Sequence, residues 1–297
     1  MRVMSLLLAA SAALLLSSQA RAESCALAIQ PVNTNWQIAN YDPFGEAAAQ
    51  QAFDVTFVNN GKVACQGQVQ VELRGERYGL TAVGSARAIT YSLIDADSQV
   101  DLTPRAGVSA KRVNSRPLSI EPGKRELRRF VLAADPGDLP ASGDYAQSVV
   151  ITVLDSNGMP LSKYPVTLSM RVAATAVMGL KGSFTATSGG GLVKLGQLRE
   201  GPIELPLQLY VKSTSAYRVT VSSINQGRLR LAGTDWAIRY QLSVGSKAMD
   251  LNKPDHIQVT QGGAHDDNYR LGVDIRDVAN KRAGAYSDTL TFTVAAI

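Results

Sequence analysis

Gly143-Asp144-Tyr145-Ala146-Gln147-Ser148-Val149-Val150-Ile151-Thr152-Val153 and Gly284-Ala285-Tyr286-Ser287-Asp288-Thr289-Leu290-Thr291-Phe292-Thr293-Val294 match at an offset of 141 residues. In each, one set of alternate positions carries Tyr, then Val or Leu, then Ile or Phe, then Val. An apolar period of two is the signature of a strand with one buried face. A second pair, Ile89-Thr90-Tyr91-Ser92-Leu93 and Ile238-Arg239-Tyr240-Gln241-Leu242, matches at an offset of 149. A shorter loop in the second half accounts for the difference of eight. Two matches in the same order point to a duplicated unit.

Between these anchors the alternation continues. Phe53-Asp54-Val55-Thr56-Phe57 is followed by Asn59-Asn60-Gly61, a hairpin turn type, and Val69-Gln70-Val71-Glu72-Leu73 alternates again. Leu205-Pro206-Leu207-Gln208-Leu209-Tyr210-Val211 and Tyr217-Arg218-Val219-Thr220-Val221 do the same. Residues 47–52 are compatible with one helical turn, and no longer amphipathic helix follows residue 50. Many short strands with frequent turn signals predict an all-β chain of two tandem immunoglobulin-like β-sandwich domains. The expected division is a signal peptide over 1–22, an N-terminal sandwich over 23–174 and a C-terminal sandwich over 175–297. Ala173-Ala174-Thr175-Ala176 reads as the linker.

The leader reading rests on basic Arg2, the apolar run from Leu6 to Leu16, and Ala20-Arg21-Ala22 as an A-x-A cleavage site. No later segment is apolar for long enough to span a bilayer as a helix. Export places Cys25 and Cys65, the two cysteines of the chain, in an oxidising compartment, where they are expected to pair. In the chain-entropy view such a bridge stabilises the fold by about 4 kcal/mol.

Composition narrows the chemistry further. Thirty Lys+Arg against 25 Asp+Glu give +5, with no basic run interleaved with aromatics, so nucleic acid is not an expected partner. The cluster Lys124, Arg125, Arg128 and Arg129 reads as solvated surface. Two histidines leave little material for metal or triad chemistry. His265-Asp266-Asp267 reads as a polar loop, and His256 stands at no metal-binding spacing from it. Gly189-Gly190-Gly191 lacks the Lys and Ser/Thr of a phosphate loop. No enzyme activity, cofactor or metal is expected.

The Gly-x-Tyr-x-x-[Ser/Thr]-apolar-x-apolar-x-Val ending of both halves resembles the last strand of the spore coat protein U-like domain. Asn40-Tyr41-Asp42-Pro43-Phe44 between the two cysteines is similar to the opening of that domain. The C-terminal half departs from the pattern in having no cysteine. The resemblance implies a subunit of an archaic chaperone–usher pilus. Its partners would be a periplasmic chaperone, an outer-membrane usher and a neighbouring pilus subunit, and its location the cell surface after export through the periplasm.

In that family a sandwich that lacks a strand is completed by one from a partner. After Val153 the first half continues into Tyr164-Pro165-Val166-Thr167-Leu168-Ser169-Met170-Arg171-Val172, whereas only Ala295-Ala296-Ile297 follow Val294. Residues 164–172 therefore read as a strand the second half lacks, the alternative being that they open the C-terminal domain. Tyr286, Leu290, Phe292 and Val294 become candidates for the lining of an acceptor groove. Only Glu23 and Ser24 would precede Cys25 after cleavage, too few for a donor strand of about 5–6 residues. Together these features resemble a tip adhesin. Trp36, Tyr41, Phe44, Tyr78 and Leu80 are then candidates for its contact surface. Two other readings compete. A periplasmic assembly chaperone would use 164–172 as a long exposed strand, and a free-standing carbohydrate-binding module would have a closed second sandwich.

Overall fold

The computed structural model describes residues 25–297 apart from 46, 75–76, 85–86, 106–115, 136, 138 and 189. The leader assigned to 1–22 lies outside the described residues. Within them the regular structure is all β. No helix there is long and apolar enough to cross a membrane.

The N-terminal sandwich contains β1 (Leu27–Pro31), β2 (Asn35–Ile38), β3 (Ala49–Asn59), β4 (Cys65–Leu73), β5 (Tyr91–Asp95), β6 (Val100–Asp101), β7 (Leu118–Ile120), β8 (Arg125–Ala134), β9 (Gly143–Leu154) and β10 (Pro160–Val172). One sheet runs β1-β3-β8-β5-β6 and the other β2-β10-β9-β4-β7. Alternate residues face inward, so Val55, Phe57, Phe130, Leu132, Val149, Ile151 and Val153 are fully buried between the sheets. Cys25, just before β1, is disulfide-bonded to Cys65 at the start of β4, which ties one sheet to the other. Residues 49–52, read from sequence as a helical turn, open β3 instead. Their backbone groups pair with Val131 to Ala134 of β8. A six-residue helix would have had to outcompete that ladder.

The C-terminal sandwich contains β11 (Ala176–Gly182), β12 (Thr185–Thr187), β13 (Gly190–Leu192), β14 (Gly201–Ser213), β15 (Tyr217–Ser223), β16 (Arg228–Leu231), β17 (Ala237–Val244), β18 (Lys247–Ala248), β19 (Asp255–Val259), β20 (His265–Arg276), β21 (Tyr286–Ser287) and β22 (Leu290–Ala296). The larger sheet runs β11-β14-β20-β17-β16-β21, and β19-β15-β22 forms the facing sheet. The order β1-β3-β8-β5 is thus repeated as β11-β14-β20-β17, and β9-β4-β7 as β22-β15-β19. The strand pairs agree in detail. Tyr91 lies opposite Ala134, and Tyr240 opposite Ile275; the tyrosines are 149 residues apart and their partners 141.

The segment 164–172 falls inside β10, antiparallel to β9 along its length and parallel to β2 over Thr167 to Met170. The linker that follows is held by the turn after β14. Thr214 accepts at its Oγ1 from Thr175 N (2.9 Å) and donates from it to Ala173 O (2.7 Å). Its backbone N donates to Thr175 O (3.0 Å), and its carbonyl accepts from Ser142 N (2.7 Å). A fully buried threonine thereby joins the two sandwiches.

Two further sequence expectations are corrected. Arg128 is not solvated surface: it points inward from β8, 1% exposed, against fully buried Asp95 (3.3 Å) and Glu126 (3.0 Å). His265-Asp266-Asp267 is not a loop. It starts β20, paired with Ser213, Lys212 and Val211 of β14. The polar residues there serve a buried tyrosine: Tyr217 donates to Asp267 Oδ2 (2.5 Å), and the His265 ring stands edge-on to it.

Candidate functional site

The distinctive geometry of the molecule is a difference between two equivalent strands. β9 is paired on both edges, with β4 from Gln68 to Leu73 and with β10 from Pro160 to Val172. β22 is paired with β15 from Tyr217 to Ser223, and no strand among the described residues pairs with its other edge. That edge presents backbone N–H and C=O groups without ladder partners.

Side-chain burial follows the same division. The inward residues of β9 are closed over: Tyr145 is 2% exposed, and Val149, Ile151 and Val153 are 0%. Their counterparts Tyr286, Leu290, Phe292 and Val294 are all only half-buried, although they pack against the C-terminal core. Met178 and Leu180 of β11, a strand that comes close to β22, and Ile203 and Leu205 of β14 are half-buried too. Val193, Leu195 and Leu198, in the non-ladder segment between β13 and β14, are also partly buried against the same core. The result is a candidate groove: an unpaired strand edge beside a strip of half-buried apolar residues. Sequence reading found the β22 residues because the repeat carried them. The β11 residues were missed, since Val177-Met178-Gly179-Leu180 alternates for barely one buried pair.

The polar end of the groove is fixed by Asp288, which separates β21 from β22. Its carboxylate accepts from Tyr240 OH (2.5 Å), Ser223 Oγ (2.6 Å) and the N–H groups of Asn225 (3.1 Å) and Thr289 (2.8 Å). Burial, and then the Asp288 hydrogen bond, push the Tyr240 phenol well above its ordinary value. The equivalent pair in the first sandwich is Tyr91 with Gln147 (2.7 Å).

The proposed contact surface fares differently. Trp36 is 1% exposed, stacked on Phe53 at 5.1 Å and tilted against Phe130 at 5.6 Å. Leu80 is fully buried. Both are core, because β2 and the 78–82 segment close the sandwich and bury their apolar faces. Tyr78 is half-buried, its hydroxyl hydrogen-bonded to the backbone of Tyr91. Tyr41 is half-buried against the core, and Phe44 sits in a turn closed by Gly45 N to Asp42 O (3.3 Å). The five do not form one exposed apolar patch.

No family model and no curated protein matches the chain. Among solved structures, it is similar to pilus and fimbrial proteins. One is a chain of the CsuC–CsuE chaperone–tip adhesion subunit complex of Acinetobacter baumannii, at 12% identity over 91% of this chain and 99% of that one, TM-score 0.42. Another is the CooA pilin of enterotoxigenic Escherichia coli, at 14% over 50% and 99%, TM-score 0.35. A third is CfaE, the adhesive subunit of the CFA/I fimbria of enterotoxigenic E. coli, at 10% over 91% and 81%, TM-score 0.32. Similarity at this level adds no weight to a functional reading, which rests on the groove.

Proposed function

We propose that the chain is an exported, non-catalytic pilus subunit whose C-terminal sandwich accepts a strand from another polypeptide. The observation that carries this reading is the open edge of β22 beside half-buried Leu290, Phe292 and Val294, set against the closed, doubly paired β9. Exposed ladder groups along an apolar groove are the substrate of strand addition. A periplasmic chaperone would lend the first strand, and a neighbouring subunit would replace it at the outer-membrane usher. The N-terminal sandwich fills its own equivalent position with β10, so the chain offers this kind of site in its second sandwich. A closed leading sandwich on an acceptor sandwich favours the tip position and an adhesive role at the cell surface.

The chaperone alternative requires β10 as a free strand. Pairing with both β9 and β2 makes it a central one, which counts against that reading. The test uses the mature chain and a version with a copy of residues 155–172 appended after Ile297. In the first sandwich these residues form the turn and strand that follow β9. The appended strand is expected to raise the thermal midpoint of the C-terminal sandwich and slow amide exchange in β22. Unchanged melting and exchange would sink the acceptor reading.

A further inference from the structure

The outer face of the larger C-terminal sheet carries a row of arginines. Arg228 of β16 stands opposite Arg239 of β17, and Arg239 stands opposite Arg276 of β20. The inward alternates of these strands, Leu229, Ile238 and Ile275, are buried, so the arginines point to solvent, and each is exposed. Neighbouring strands lie about 4.8 Å apart, so three guanidinium side chains are rooted in line over about 10 Å. Arg230, two positions on from Arg228, faces the same way and is exposed too.

Like charges directly opposite one another destabilise a sheet. The protein neutralises this row only in part. Arg276 is held by Asp274 (3.0 Å) and donates to Gln241 Oε1 (2.9 Å). Arg239 stands 3.9 Å from Asp277, whose carboxylate is closer to Lys281 (3.1 Å). The side chains of Arg228 and Arg230 have no ion pair or hydrogen bond among the described residues. The charges are therefore set out along a line, with the strongest neutralisation at one end.

A line of cations fits a linear polymer that carries an acid on each unit. The guanidinium group pairs with a carboxylate through two parallel N–H···O bonds, which favours carboxylates over a diffuse anionic surface. Single-stranded nucleic acid needs rings on which its bases stack. The outward positions adjoining the row, Ala237, Gln241 and Asp274, supply none. We propose that this face binds an acidic polysaccharide. Its uronate carboxylates engage Arg228, Arg230 and Arg239, and Arg276 completes the row. The bound anions relieve the repulsion between the arginines. The site gives the C-terminal sandwich a binding role apart from strand acceptance, on the opposite side of its sheet from the core and β22.

The test is titration of the mature chain with polygalacturonate at low salt and at about 0.15 M. Binding is expected at low salt and should weaken at the higher one, while the fully methyl-esterified polymer should not bind. Arg228→Gln with Arg239→Gln should weaken binding by about tenfold or more, as the loss of two charge-assisted contacts requires. Arg125→Gln with Arg218→Gln removes the same charge elsewhere and should weaken it by about twofold or less. Equal losses mean a diffuse charge effect and overturn the proposal, as does no binding of polygalacturonate at low salt. Dextran sulfate or single-stranded DNA bound as tightly, with the same loss in the Arg228/Arg239 variant, overturns the assignment to a carboxylate polymer. That variant should melt at or above the parent midpoint, because a repulsion has been removed. A lower midpoint means that the arginines serve the sheet and overturns the site. None of these outcomes bears on the open edge of β22.

Discussion

Tyr145 and Tyr286 make the same hydrogen bond 141 residues apart: each hydroxyl donates to the backbone carbonyl four residues upstream, Ala141 at 2.9 Å and Arg282 at 2.7 Å. This is the tyrosine corner of immunoglobulin-like sandwiches, here written once in each half. The environments differ, since Tyr145 is 2% exposed and Tyr286 half-buried. Tyr145→Phe leaves a carbonyl beside the core without its donor and should cost about 1–3 kcal/mol. Tyr286→Phe should cost about 1 kcal/mol or less, because water replaces the lost partner. Denaturant titration of the two variants checks the order.

Ile151 and Phe292 give a second paired comparison. Ile151→Ala empties a sealed position and should cost about 2–5 kcal/mol in the unextended chain. Phe292→Ala, at a half-open position, should cost clearly less there. Once a strand covers the groove, the Phe292 change should rise to about 3–5 kcal/mol. Equal costs with and without the strand would show that Phe292 is not part of the covered surface.

How far the sequence alone reached is visible at such residues. Tyr286, Leu290, Phe292 and Val294 could be found because strand alternation is local and the duplication repeats it. Trp36 could not be placed correctly. Its burial depends on β2 pairing in parallel with β10, more than 130 positions away, and four residues of strand carry almost no period. Arg128 was misread for the same reason: its neighbours Arg125 and Arg129 suggest a solvated face, while its partner Asp95 lies on another strand. The polarity of His265-Asp266-Asp267 likewise reflects Tyr217, across the sandwich, and not a loop.

The buried Arg128–Asp95 pair is itself testable. Asp95→Ala leaves a guanidinium in the core with Glu126 as its remaining acid partner, and strips the N–H groups of Asp97 and Ser98 of their acceptor. A loss of about 3–5 kcal/mol is expected by equilibrium unfolding.

At the junction, Thr214→Val removes the hydroxyl that satisfies Thr175 N and Ala173 O. About 1–3 kcal/mol should be lost. Amide exchange at 173–175 should accelerate while the centres of both sandwiches keep their protection.

Asp255 sets an acid limit on the second sandwich. Burial alone would raise its carboxyl, but the N–H groups of Asp250 and His256 and the Lys247 ammonium outweigh it and hold it at about 2. A carboxyl depressed in the folded state contributes stability above the ordinary aspartate range, and that contribution is lost as pH falls toward about 2. Unfolding midpoints at about pH 6 and about pH 2.5 should differ more for the parent chain than for Asp255→Asn.

The Cys25–Cys65 bridge also sets how the molecule behaves under tension. In the proposed pilus role the chain would be pulled through its linker and its second sandwich, and a sandwich that yields lengthens by paying out chain. The bridge encloses 40 positions that cannot be paid out while it is intact. At about 3.3–3.6 Å per extended residue, roughly 140 Å of extension is withheld. Single-molecule pulling should show that length appear when the bond is reduced, so the redox state of one cysteine pair sets the reach of the leading sandwich.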